Sequence, residues 1–416
     1  MTKPALVSIV GAFVCAVAIW ESARIGFART SALRALKTND VAAADYAVNR
    51  LPGDAEVHVA RGVVLQRTEN YAEAGREFER AIQLRPRDYF VWMMLGVTRD
   101  LNGDQVNGVA ALRESLALAP SYAKPRWLIG NLLLRTGEID EAFRQLRIAE
   151  ESNDALTPNI IDLAWGVSKN DPAKTEELIQ PHTDSARLGL AVFLAAHKQG
   201  AAALDQFRRT TSHPAAVVDQ LTRRLIESRS FVEGYEVWTK SHCPSCKPAS
   251  IINGSFEEDI EIDNRGFGWQ VPGNLNGVTM SVDNTEHEHG AKSLRVDFHG
   301  DADPQTSLVS QIVLVEPGRR YHVSLQVITK SLVSGSPPTV RVIDVSDDKS
   351  TPLAQLSIRL DASGWQLYSI DFNSGPNTRA VRLVVNREGC LNNHCAAFGT
   401  LWLDAFSIEN DQVGGP

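Results

Sequence analysis

GVVLQRTENYAEAGREFERAIQLRPRDYFVWMMLGVTRDLNGDQVNGVAALRESLALAPSYAKPRWLIG, residues 62–130, starts and ends on a glycine and carries another, Gly96, at its midpoint. Gly62, Gly96 and Gly130 are thirty-four residues apart, and Pro52, Pro86 and Pro120 keep the same period. Other positions move in step: Ala74, Gly108 and Ala142 are small, Phe78, Leu112 and Leu146 large and apolar, Ala81, Ser115 and Ala149 small again. Self-similarity at this length marks a solenoid of helix pairs, in which each pair buries its apolar face only against its neighbours. Pro86 and Pro120 fall where a second helix must stop, because proline cannot continue it.

Trp92, Leu95, Gly96 and Pro120, with Tyr71, Ala74, Phe78, Ala81 and Pro86 one unit earlier, resemble the tetratricopeptide repeat. The resemblance is clearest over 55–153. It implies a concave groove lined by the first helix of each unit, and the matching positions are Val59, Val63 and Arg67, then Phe90, Met93 and Val97, then Trp127, Asn131 and Arg135. Phe90, Met93 and Trp127 are apolar for groove positions, which suits a partner peptide or helix; cover by the chain's own N-terminal helix or β domain is the alternative. A degenerate first repeat precedes these units, with Ala44 and Ala47 at the small positions, and helical patterning without the period continues to His242. The solenoid is therefore expected over 23–242.

Residues 5–20, ALVSIVGAFVCAVAIW, carry no charge. Sixteen helical residues rise about 24 Å against a hydrocarbon core of ~30 Å. One reading is a cleaved signal peptide with Ala16-Val17-Ala18 as its site; the other, favoured by Trp20 at the interface, is an inner-membrane anchor over 1–22 with the remainder extracytoplasmic. Four of the five cysteines form close pairs, Cys243/Cys246 and Cys390/Cys395, which in an exported protein reads as disulfides, with a zinc site as the rival. At 416 residues the chain needs more than one core, and its net charge of −8 gives no footprint for nucleic acid.

After a Cys-containing linker, 243–249, helical periodicity gives way to alternation. Ser307–Val315, Tyr321–Ile328, Thr339–Val345, Gln366–Phe372, Ala380–Val385 and Thr400–Ile408 read as strands of a β-sandwich over 250–410. Asn253-Gly-Ser-Phe-Glu257, Gly268-Trp269, His289–Val296, Pro317–Tyr321, Gly364-Trp365 and Leu401–Asp404 come in the order that resembles the galactose-binding-like jelly roll of carbohydrate-binding modules. The resemblance implies a structural calcium held by Glu257 and Asp404 with backbone carbonyls, and structural roles for Trp269 and Trp365. Strand alternation points Gln326, Arg341, Arg382 and Trp402 outward as candidate glycan contacts.

No GxSxG, P-loop, HExxH or Rossmann glycine pattern occurs. The expected architecture is an N-terminal membrane helix, an α-solenoid of helix pairs and a C-terminal jelly roll. The function it suggests is a non-enzymatic, envelope-anchored adaptor binding a protein partner and a glycan in exopolysaccharide or O-antigen assembly. The alternatives are a polysaccharide-acting enzyme with a helical catalytic domain and a structural assembly factor without glycan affinity.

Overall fold

A computed structural model describes residues 3–260, 266–273, 275–301, 307–347, 349–360, 364–387 and 396–410. The chain divides into two compact units, Met1–Gln180 and Pro181–Pro416.

The first unit holds α1 (Lys3–Thr38), α2 (Val41–Arg50), α3 (Ala55–Arg67), α4 (Tyr71–Leu84), α5 (Tyr89–Leu101), α6 (Gln105–Leu118), α7 (Ala123–Thr136), α8 (Ile139–Ser152), α9 (Thr157–Val167) and α10 (Pro172–Ile179). Asp40, Asp54, Asp88 and Asp104 start α2, α3, α5 and α6, each accepting a hydrogen bond from an otherwise orphaned N–H of the first turn. The periodic glycines stand where paired helices touch. A Cβ on Gly62 would lie 2.8 Å from the Phe78 ring, on Gly96 2.6 Å from Leu112 Cγ, and on Gly130 2.7 Å from Leu146 Cγ.

The boundary expected at residue 22 falls inside α1. Its second half is the first helix of the first repeat, with Ala28, Ala32 and Ala35 buried against Ala44, Ala47, Val57, Ala60 and Val64. Arg67 ends the helix by donating to the Leu36 carbonyl at 2.6 Å. Residues 11–20 are all exposed, and α1 is long and apolar enough to cross a membrane.

The second unit holds α11 (Asp184–Ala196), α12 (Gly200–Arg208), α13 (Ala215–Glu227) and α14 (Phe231–His242), followed among the described residues by nine strands. The strands are β1 (Val278–Asp283), β2 (Ser293–Asp301), β3 (Val309–Leu314), β4 (Arg320–Ser334), β5 (Pro338–Asp344), β6 (Pro352–Ser357), β7 (Gln366–Asn373), β8 (Ala380–Arg387) and β9 (Ala396–Asn410). They form two antiparallel sheets, β1-β2-β9-β4-β7 and β3-β8-β5-β6. Their inner faces close one core through Val296, Tyr321, Val323, Leu325, Val340, Leu383, Val385, Leu401 and Leu403. The six strands expected from alternation leave out β1, β2 and β6; of these β1 and β6 are edge strands, half-solvated on both faces and without strict alternation.

One end of the four-stranded sheet is covered on its outer face as well. Phe231, Tyr235 and Trp238, one stripe of α14, pack with Phe267 on Ile312, Leu314, Val345 and Ala380. Cys243 and Cys246 form a disulfide beside this cluster, with their Cα atoms 5.4 Å apart. The segment expected as a linker thus closes the end of α14. Cys390 and Cys395 lie outside the described residues.

Candidate functional sites: two sheet faces and a repeat groove

On the five-stranded sheet, β4 turns Tyr321, Val323, Leu325 and Val327 into the core and His322, Ser324, Gln326 and Ile328 outward. Register places Leu367 of β7 and Asp404 of β9 on either side of Gln326, and Trp402 beside Ile328 and Arg295. Gln326 is therefore on an outer face, as expected. Trp402 points the same way yet is only 6% exposed. Its indole donates to Asp283 Oδ2 at 2.9 Å and lies under the Arg295 guanidinium, 5.4 Å from the ring centroid. It cannot stack on a sugar; it holds its neighbours. Burial works against the Asp283 charge, but the Thr285 hydroxyl, the Trp402 indole and backbone N–H groups outweigh it and hold the carboxyl well below its ordinary range.

Trp365, expected to be structural, is more open than Trp402. It precedes β7 in phase with outward Leu367, is half-buried, and donates to Glu286 Oε1 at 3.2 Å. Trp269 is structural as expected, 4% exposed and packed with Phe256 and Phe406. Phe398 of β9 is 53% exposed. Local alternation around Gly364-Trp365 would have found Trp365, since Gln366–Phe372 already set the phase; no pattern singles out Phe398. A cleft of about 480 Å³ runs along β1, lined by Val271, Leu275, Met280 and Val282 together with Thr279 and Ser281.

Glu257 and Asp404 face one loop. Glu257 Oε1 accepts from the Ala291 and Lys292 N–H groups at 2.8 and 3.0 Å, and Lys292 Nζ donates to the Glu257 carbonyl at 2.9 Å. Asp404 Oδ2 accepts from the Glu288 and His289 N–H groups, both at 2.8 Å, while Oδ1 accepts from Ala405 N–H at 2.6 Å. Three of the four carboxylate oxygens are thus committed to N–H donors, and an ammonium stands beside Glu257. This donor set does not fit the calcium implied by the resemblance, which needs oxygens free to turn toward it. Among the described residues no other acidic or histidine side chains complete a metal group.

Arg341 and Arg382 are separated from Gln326. They lie on β5 and β8, on the outer face of the four-stranded sheet, since Val340, Val342, Val381 and Leu383 point into the core. The four glycan candidates therefore belong to two different faces, and alternation alone does not say which sheet a strand joins.

In the repeats, Phe90 is 41% exposed, Arg67 and Arg135 are exposed, and Val59, Val63, Val97, Trp127 and Asn131 are half-buried. Met93 is not a groove residue. It is 7% exposed and packs with Val109, Leu112, Ile129 and Leu132 between repeats. Arg135 pairs with Asp100, Asn131 donates to the Trp127 carbonyl at 2.8 Å, and Arg67 is held at the end of α1. Tyr89 and Tyr122 add a ring pair at 5.1 Å, and Tyr122 is 54% exposed. A feature hidden from apolar pattern reading recurs on the prolines: Pro52, Pro86 and Pro120 each offer a carbonyl to the side chain six residues on. His58 Nε2 bonds at 3.0 Å, Trp92 Nε1 donates at 2.9 Å and Arg126 Nε at 3.0 Å.

Residues 55–88 match the family model of the tetratricopeptide repeat, and residues 248–390 match that of a carbohydrate binding domain. Solved structures show similar pieces. YrrB, described as a TPR protein with an unusual peptide-binding site, is 21% identical over 39% of this chain and 88% of its own, with a TM-score of 0.32. MamA from Desulfovibrio magneticus RS-1 is 18% identical over 38% of this chain and 92% of its own, TM-score 0.33. A protein described under "CBM4 structure and function" is 16% identical over 38% and 99%, TM-score 0.29. A comparison with curated proteins gave no match. The chain joins a tetratricopeptide-repeat solenoid to a jelly-roll domain of the carbohydrate-binding-module type.

Proposed function

We propose that this chain is a membrane-anchored, non-enzymatic adaptor whose repeats hold a protein segment and whose sandwich contacts a glycan, in the assembly or export of a cell-surface polysaccharide. The observation that carries the reading is the outer face of the five-stranded sheet within the carbohydrate-binding match. There Trp365 precedes β7 in phase with outward Leu367, which stands opposite Gln326, so an indole and an amide belong to one face, which suits a sugar ring and its hydroxyls. In the repeats, Phe90 and Trp127 supply the apolar anchors for a peptide or helix. The continuity of α1 from its apolar half into the first repeat supports an anchor that stays attached.

Affinity electrophoresis of the detergent-solubilised full chain against neutral polysaccharides tests the glycan role. Retardation that Trp365→Ala abolishes, with the thermal midpoint kept, is expected; no retardation on any polymer sinks it. Release of reducing sugar from the same polymers would replace the adaptor with an enzyme.

A further inference from the structure

The four-stranded sheet carries two arginines that the fold leaves without a counter-charge. Arg341 on β5 stands opposite Val384, and Arg382 on β8 stands opposite Ile343, so the two are diagonal neighbours on one outer face. Diagonal positions across an antiparallel pair are about 7–8 Å apart, within joint reach of two guanidinium groups on one anion. Both side chains are half-buried, and the Nε atoms of both are fully covered with no hydrogen-bond partner. Neither forms an ion pair among the described residues, whereas Arg29, Arg61, Arg99, Arg208 and Arg295 each do.

The rest of the neighbourhood is short of partners too. Five buried side-chain polar atoms lack one among the described residues, and three of them, on Arg341, Arg382 and Asn386, belong to β5 and β8. Asn386 is two residues beyond Val384 on the same strand and 6% exposed, with its Oδ1 unpaired. Gln355 of β6 stands opposite Arg341. Burial depresses the Arg382 pKa, the mark of a charge out of water with nothing to offset it. Half-burying a guanidinium without a partner costs stability, and neutral side chains of the same volume would fill this face without that cost.

We propose that Arg341 and Arg382 form an oxyanion site for the acidic group of a saccharide, such as a uronic acid carboxylate. The planar guanidinium suits it, presenting paired N–H donors to a carboxylate or sulfate. The site is separate from the Trp365 face; only the saccharide identity of its ligand rests on the glycan reading above.

Two measurements on the detergent-solubilised full chain test the site. Polygalacturonate, dextran sulfate and neutral dextran are compared by affinity electrophoresis, and millimolar sulfate is compared with chloride at equal ionic strength by thermal shift. Polygalacturonate should retard the chain, and Arg341→Gln and Arg382→Gln should each weaken that retardation about tenfold while leaving any neutral-polymer binding unchanged. Arg382→Met should remain folded, with a midpoint no lower than that of the parent, and should lose the sulfate shift. Retention by dextran sulfate alone, lost in the variants, keeps the oxyanion site and moves its source to a sulfate ester. A sulfate shift lost in the variants, with no polymer bound, keeps the site and refutes the glycan reading. Acidic-polymer binding that survives both substitutions, or the absence of any anion effect, overturns the proposal.

Discussion

The repeats and the sandwich solve the same packing problem in opposite ways. In the repeats one contact is used three times: glycine against Phe78, Leu112 or Leu146, with a proline carbonyl latched six residues on. In the sandwich each stabilising contact occurs once and joins distant parts of the chain, as when Asp404 holds the N–H groups of Glu288 and His289. Repetition makes a contact visible in sequence and confines damage to neighbouring units. A unique long-range contact is invisible in sequence, and its loss is felt through the whole sheet.

The sharpest break of this comparison is Gly96→Leu. Leu112 Cγ and the Gly108 carbonyl leave no room even for a methyl group, so the variant should lose about 3 kcal/mol by overpacking. Gly75 on α4 has nothing within reach of an added Cβ, and Gly75→Ala should gain about 0.5 kcal/mol through helix propensity. Urea titrations followed by helical circular dichroism measure both. Equal effects at the two glycines would mean that the period does not mark the contacts.

In the sandwich the counterpart is Gly290→Ala. Gly290 has φ +74°, and a Cβ there would stand on the Glu257 carboxylate. Left-handed strain plus loss of the bonds from Ala291 and Lys292 should cost about 2 kcal/mol, read by tryptophan fluorescence during denaturation. A neutral outcome would show that the Glu257 latch contributes nothing.

These two residues also show what the sequence made legible. Gly96 stood out because its role recurs at Gly62 and Gly130, and the helix pairs, the strands with strict alternation and the core face of β4 followed from periodicity. Periodicity gives the face of a strand but neither its sheet nor what lies above it. Alternation therefore groups Arg341 and Arg382 with Gln326 though they are on the other sheet, and leaves Trp402 open though Arg295 covers it. Met93 failed for a related reason: a groove position in the repeat pattern can still turn into the seam between units.

A smaller effect separates the two regions by pH. His58 is 5% exposed, and both ring nitrogens face acceptors: Nδ1 meets Glu77 Oε2 at 2.7 Å and Nε2 meets the Pro52 carbonyl at 3.0 Å. Only the imidazolium satisfies both. The Glu77 hydrogen bond, aided by the Pro52 carbonyl, raises the His58 pKa against burial and the nearby Arg80. Arg61, which also binds Glu77 and Asp45, keeps its charge throughout. A raised folded pKa gives stability that is complete below the unfolded value of about 6.5 and is lost as pH climbs through the folded value. The repeats should therefore lose about 1 kcal/mol as pH rises above about 6.5 and through the folded value, the cost of one unmade bond to a buried group. Subtracting the pH profile of His58→Gln from that of the parent isolates the effect. That difference should shrink as pH rises, and one that is flat or grows toward alkaline pH would contradict it.

The smallest expected effect is none at all, and it bears on the loop that Glu257 and Asp404 share. If calcium held this loop, chelation would lower the thermal midpoint of the sandwich, because a ligand bound only by the folded state stabilises it by mass action. The committed oxygens and the Lys292 ammonium argue that backbone N–H groups and one lysine already supply the positive charge a cation would bring. The midpoint should accordingly be the same in excess EDTA and in millimolar calcium. Lys292→Met, by contrast, should lower it by a degree or two, since the Glu257 carbonyl loses its donor. A rise in midpoint on adding calcium to the parent would show that the loop rearranges around a metal, turning carbonyls inward where N–H groups now point.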